Sequence, residues 1–196
     1  GELMEDSDIV VNFAAESHVD RSIEGAAPFV ETNVSGVQVL LDAAVEADID
    51  RFVQVSSDEV YGQILEGRFS ESDRLEPRNP YAATKAGADL LARSYFVTHE
   101  LDVVITRSSN NYGPRQNPEK LIPKLITRAA DGEPLPLYGD GSNVREWLYV
   151  EDNCRAIATV LDRGTPGEIY NVGSGEERTN LEVAKAVLRS LDRNED

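Results

Sequence analysis

Residues 51–62 read RFVQVSSDEVYG: a short apolar run, Arg51 to Val55, that closes on Ser56, Ser57, Asp58 and Glu59 before Gly62. Adjacent carboxylates repel one another and resist burial, so a purely structural role for such an ending is a poor fit. Two other stretches share the pattern. DIVVNFAA (8–15) and LDVVITRSS (101–109) are also short, rich in Val and Ile, and closed by small or polar residues. Runs of this kind suit strands buried on both faces. Between them, Val30, Val34, Val37, Leu41 and Ala44 recur near helical spacing within 29–47, and Pro80 opens a second helix reaching about His99. Strand–helix alternation predicts an α/β fold with a parallel sheet and right-handed crossovers. Open sheets of that class bind ligands at the carboxyl ends of their strands, where all three polar clusters fall.

Beyond Tyr112 the texture changes. GPRQNPEKLIP, DGEPLPLYGDGSN and DRGTPGE concentrate Gly and Pro, which implies loops around shorter elements. The pattern predicts helices over about 120–131 and 152–162, a strand near 146–149, a strand near 168–172 returning to the sheet, and a final helix opened by Asn180. Two lobes follow, 1–112 and 113–196.

The formal charge of −17 argues against binding nucleic-acid backbones, and Lys85, Lys120, Lys124 and Lys185 are the only lysines. An acidic, lysine-poor surface suits a high-salt cytoplasm, where screening removes self-repulsion. No apolar run reaches the roughly 18–20 residues of a membrane helix. The single cysteine, Cys154, excludes an intrachain disulfide and fits a reducing cytoplasm, and His18 with His99 offers no zinc-like cluster.

Tyr81 and Lys85 in NPYAATKAGADLL are four residues apart and so share a helical face. An ammonium beside a phenol favours the phenolate, which predicts a lowered Tyr81 pKa and a general base for a sugar hydroxyl. Tyr-x-x-x-Lys is a weak signal alone. Its company strengthens it: Ser56 and Ser57 end the strand before it, NFAAESHVDRS the strand before that, and TRSSNNYGP the strand after.

With FAAESHVDRSI, VSSDEVYG, NPYAATKAGAD, RSSNNYGPRQNPEKLIP and REWLYVEDNCRAI, the chain resembles the extended short-chain dehydrogenase/reductases, and within them the dTDP-glucose 4,6-dehydratases. The resemblance implies a partial NAD(P)-binding, Rossmann-type doubly wound sheet (1–112) and a small α/β lobe that binds a nucleotide sugar (113–196). It implies NAD as cofactor. It assigns Tyr81 the 4-hydroxyl proton, Glu59 the C5 proton, and a protonated Asp58 the departing 6-hydroxyl, with Ser57 (Thr in the family's usual pattern) on the 4-oxygen and Lys85 on the nicotinamide ribose. Ala14, Ala15, Glu16, Ser17, Asn33, Ser56 and Asn111 match cofactor-contacting positions. Ser17, Asn110, Lys120, Leu121, Pro136, Leu137, Tyr138, Arg145 and Asn180 match the substrate side, and the planar fork of Arg145 suits a diphosphate. A homodimer through the helices at 29–47 and 80–99 is also implied. Against the family's pattern, the glycine-rich strand–turn–helix that meets the pyrophosphate is expected to be missing, as is a C-terminal segment that helps enclose the base. YGDGSNV and NVGSGEE read as loops. A UDP-sugar epimerase or decarboxylase needs no Asp58–Glu59 pair. A non-catalytic NAD- or sugar-sensing module, or an inert fragment, is the reading from another class.

Overall fold

The structure, a computed structural model, describes residue 4 and residues 6–193. They form two compact units, one of residues up to 108 together with 155–172, the other of 109–154 together with 173 onward.

In the first unit, β1 (Ile9–Asn12), β2 (Arg51–Ser57), β3 (Val103–Ser108) and β6 (Ile169–Val172) form one sheet in that order. Every pairing is parallel. The Val/Ile-rich composition follows from this: both faces of the sheet are covered, so alternation with polar residues has no place. Phe52, Val103 and Ile105 pack with Val37 and Leu41 of α3 (Gly36–Glu46) and with Ala88 and Ala92 of α4 (Pro80–His99). Val53 and Val104 look the other way, onto Ile157 and Val160 of α6 (Val150–Arg163). Arg51 ties this side down, bonding Asp102 at 2.8 Å and the Leu161 carbonyl at 2.8 Å.

Two sequence expectations need correction here. The stretch 29–47 is not one α-helix. A short α1 (Val19–Glu24) and α2 (Ala27–Val30) lead into a π-turn, Glu31–Ser35, and only then into α3. Single π-turns inside helices tend to re-aim a side chain, and this one carries Asn33. The division between units also falls at Ser108–Ser109 rather than after Tyr112. Residues 155–172 belong with the first unit because β6 pairs with β3 and α6 covers β2 and β3.

The second unit has a three-stranded sheet, β4 (Asn110–Tyr112), β5 (Val144–Tyr149) and β7 (Glu177–Thr179), in the order β4–β5–β7. β4 runs parallel to β5 and β7 antiparallel to it. Leu125 and Ala129 of α5 (Leu121–Asp131) pack on Val183, Ala184 and Val187 of α7 (Asn180–Ser190). Helix α7 opens with a capping box, in which the Thr179 hydroxyl accepts from the Glu182 N–H and the Glu182 carboxylate accepts from the Thr179 N–H. Among the described residues no helix is long and apolar enough to cross a membrane.

Candidate active site

β2 ends at Ser57 and passes straight into a 3₁₀ turn, Asp58–Tyr61. Ser57 caps it: its hydroxyl accepts from the Glu59 N–H at 3.3 Å and donates to Asp58 Oδ1 at 3.3 Å. With three residues per turn, neighbouring side chains diverge by roughly a third of a circle, so two adjacent carboxylates tolerate one another here. The turn is pinned from below. Tyr61 is 2 % exposed, stacks on Phe69 with ring centroids 4.9 Å apart, and donates from its hydroxyl to Asn171 Oδ1 at 2.7 Å. Gly62 closes the turn at φ +92°, where a Cβ would lie 2.3 Å from the Glu76 carbonyl oxygen.

Helix α4 begins beside this turn, with Asn79 as its N-cap and Pro80 as its first residue. Asn79 Oδ1 accepts from the Ala82 N–H at 2.8 Å while Asn79 Nδ2 donates to Glu59 Oε2 at 3.0 Å. One amide therefore joins the start of the helix carrying Tyr81 and Lys85 to the carboxylate of the preceding turn. Reading the sequence did not single out Asn79, although Asn-Pro at a helix start was a visible cap signal.

Half-buried Tyr81 lies against this turn. Its phenol is pushed up to about 12, first by burial and then by the charge of Glu59, while the Ser57 side chain pulls the other way. The expected lowering by Lys85 is not what the structure shows. Lys85 is turned inward, 5 % exposed, and donates from Nζ to the Val55 carbonyl at 2.6 Å. A testable pH dependence results. An unfolded phenol ionises near 10, so between about 10 and 12 the folded chain holds a proton that the unfolded chain has lost. Stability is intact below pH 10 and falls as pH rises through that window, by on the order of 2 kcal/mol. Denaturant melts at stepped pH should show a smaller loss in Tyr81→Phe than in the unaltered chain; equal losses would contradict the environment described for this phenol.

The stretch after β1 carries the small residues expected near a cofactor. Ala14, Glu16 and Ser17 are exposed and Ala15 is half-buried. Asn33 does not share that surface and is corrected to a supporting role. It is 1 % exposed and spends its amide inside the protein, accepting from the Glu16 N–H at 2.8 Å and donating to the Glu16 carbonyl at 2.9 Å and Thr84 Oγ1 at 3.0 Å. It thus holds the 14–17 stretch in place. Ser56 is buried, and its hydroxyl acts on the Asp89 carboxyl.

In the second unit, Asn110 and Asn111 lie on β4 opposite Trp147 and Leu148 of β5. Asn111 and residues 112–116 line a cavity of about 160 Å³. Lys120 caps α5 and Leu121 starts it. Tyr138 is 74 % exposed on the loop that also carries Pro136 and Leu137. Arg145 of β5 sits directly across from Arg178 of β7. Like charges opposed on a ladder are unfavourable unless an anion lies nearby, and Glu176 supplies one, accepting from Arg178 Nη2 at 2.9 Å. Asn180 Oδ1 and Trp147 Nε1 are buried and unpartnered. A larger groove, about 550 Å³, runs along α5 and α7 and takes in only Leu137 of the expected substrate residues.

A parallel sheet whose second strand runs into Ser57–Asp58–Glu59, followed by a helix presenting Tyr-x-x-x-Lys, defines a Rossmann-type α/β chain of the extended short-chain dehydrogenase/reductase class. The chain belongs to the GDP-mannose 4,6 dehydratase family, whose profile matches residues 3–196. It is 66% identical over 195 residues to the low-salt glycan biosynthesis protein Agl12 of Haloferax volcanii, a match covering the whole of this chain and 63% of the relative. The crystal structure of a double mutant of DesIV, a dTDP-glucose 4,6-dehydratase from Streptomyces venezuelae with NAD and DAU bound, superposes with a TM-score of 0.96 at 55% identity, covering 98% of this chain and 61% of that one. UDP-glucuronic acid 4-epimerase from Bacillus cereus, in complex with UDP-glucuronic acid and NAD, superposes at 0.94 with 30% identity, covering 98% and 62%. The chain thus spans somewhat under two thirds of the length of these relatives.

Proposed function

We propose that this chain carries the catalytic residues of an NAD-dependent 4,6-dehydratase that converts dTDP-glucose to its 4-keto-6-deoxy form. The observation that carries the reading is the Asp58–Glu59 pair on a pinned 3₁₀ turn, with Glu59 bonded to the N-cap of the helix bearing Tyr81 and Lys85. NAD, when bound, supplies the hydride acceptor and donor for the sugar and a positive charge that favours the Tyr81 phenolate. The residues present fit it. Ala14 and Ala15 permit close approach of a nucleotide, and Asn33 fixes the backbone around them.

Tyr81 takes the proton of the sugar 4-hydroxyl, with Ser57 holding the same oxygen. Once C4 is a ketone, the C5 proton is acidic and Glu59 removes it. Asp58, protonated, delivers a proton to the departing 6-hydroxyl, so water leaves, and Glu59 returns its proton to C5 as C6 regains the hydride taken from C4. Adjacent carboxyls in opposite protonation states perform the two tasks together. Lys85 orients the cofactor ribose. In the second unit, Arg145 faces the nucleotide diphosphate, with Asn110, Lys120, Leu121, Asn180 and the 136–138 loop on the nucleotide-sugar side. Asn111 serves the cofactor.

Support for a homodimer comes from apolar side chains left exposed on the two expected helical regions, Val30 and Val39 on one and Leu90 and Val97 on the other. The charge of −17 supports a cytoplasm of high salt. The test is incubation with NAD and dTDP-glucose in molar KCl, with the product examined by NMR. A 4-ketone lacking the 6-hydroxyl supports the dehydratase. A C4 epimer that keeps the 6-hydroxyl would replace it with the epimerase reading, to which the Bacillus cereus structure lends weight. No turnover by a folded preparation supports a non-catalytic role.

A further inference from the structure

We propose that Asp89, clamped by Arg107, is the positioning residue that keeps Lys85 an ammonium ion; the inference rests on the reading of Lys85 as the residue that orients the cofactor ribose. Tyr81, Lys85 and Asp89 follow one another at intervals of four on α4 and so occupy one face, turned toward the sheet. Lys85 and Asp89 are 5 % and 2 % exposed, and Arg107 of β3 is 3 % exposed. Burial favours the neutral amine, and one carbonyl, that of Val55, is a modest counterweight for a full charge.

Asp89 supplies the missing anion. Its Oδ2 accepts from Arg107 Nε at 2.9 Å, and the Ser56 hydroxyl of β2 also acts on the carboxyl. Arg107 is itself fixed from the far side, donating from Nη1 to Tyr61 Oη at 2.8 Å and lying 4.8 Å from the centre of that ring. Burial pushes the Asp89 carboxyl above its ordinary value, and the Arg107 guanidinium, which does not deprotonate in a protein, is the chief force holding it toward the carboxylate. The cluster then holds two cations and one anion. Without Asp89, buried Lys85 would face no anion, and burial would draw its proton off. Burial holds the Lys85 pKa below its ordinary value, and Asp89 offsets part of that lowering, in keeping with this geometry. The ionisable groups that other elements bring to this part of α4 are Arg107 from β3 and Asp58, Glu59 and Tyr61 from the turn after β2. Asp42 of α3 meets α4 at Tyr95, well beyond Asp89.

A purely structural ion pair would hold β3 to α4 and leave the Lys85 proton unaffected. The distinction is open to measurement because the chain has only four lysines. In protein labelled with ¹³C at lysine Cε, each ammonium titrates as a separate NMR signal, and Lys85→Arg identifies the one of interest. The unaltered chain should show Lys85 charged at pH 7; a neutral amine there would overturn the proposal without any variant. Asp89→Asn should bring the Lys85 midpoint down by about one pH unit or more, and an unmoved midpoint would overturn it. Where Asp89→Asn fails to fold around its unpaired Arg107, the double change D89N/R107M removes both charges and is judged by the same shift. Neither NAD nor sugar enters this measurement, so a failed dehydratase assay and a failed titration are separate results.

Discussion

Tyr81→Phe is expected to slow oxidation at the sugar C4 by about 10²–10⁴-fold, the usual contribution of a placed general base. The change removes one oxygen and keeps the ring, so α4 should retain its cap at Asn79 and its packing through Ala82, Ala86 and Ala88. The loss should therefore appear in the rate of cofactor reduction, followed by nicotinamide absorbance on mixing with dTDP-glucose, and not in the affinity for the sugar. The high intrinsic pKa of this phenol sharpens the expectation. At about 12 it is fully protonated at neutral pH, so Tyr81 acts as a base only when a bound positive charge draws the proton away. An oxidation rate in Tyr81→Phe equal to that of the unaltered protein would remove Tyr81 from the mechanism.

Glu59→Gln should divide the reaction at a different point. Oxidation at C4 needs Tyr81 and Ser57 and should proceed, whereas removal of the C5 proton should fall by about 10²–10⁴-fold. Reduced cofactor and the 4-ketoglucose nucleotide would then accumulate together, and exchange of the C5 hydrogen with deuterated water should cease. The side chains are nearly isosteric. In the glutamine variant Asn79 Nδ2 can still donate to the amide oxygen, so the local structure survives and the readout reports proton transfer. Formation of the 6-deoxy product at an undiminished rate would assign the C5 proton to another group.

The elements legible in the sequence were those with a local signature. The apolar runs at β1, β2 and β3 and the first residues of α4 and α7, Pro80 and Asn180, are written in contiguous residues, and the parallel sheet follows from the runs. β7 was not legible: Glu177, Arg178 and Thr179 carry no apolar alternation, and they form a strand only because β5 lies alongside. The π-turn at Glu31–Ser35 was equally hidden, since Val30, Val34 and Val37 fit an ordinary helix. Within the site, side-chain types were readable while their directions were not. Lys85 has the spacing to approach Tyr81, yet its ammonium is drawn to the Val55 carbonyl. Asn33 has the polarity of a ligand-binding group, but Glu16 and Thr84 occupy it. Asp89 and Arg107 are 18 residues apart, and only the folded sheet makes them neighbours.

Asn79 acts as a fastener between two halves of a reaction. Its amide is planar and rigid, so the oxygen that starts the helix and the nitrogen that holds Glu59 cannot move independently. A sugar that draws the carboxylate toward C5 also pulls on the first turn of the helix, where the phenol for the 4-hydroxyl is mounted. The oxidising and eliminating groups should therefore loosen together on warming, and substitutions at position 79 should blur the order of events before they abolish either one.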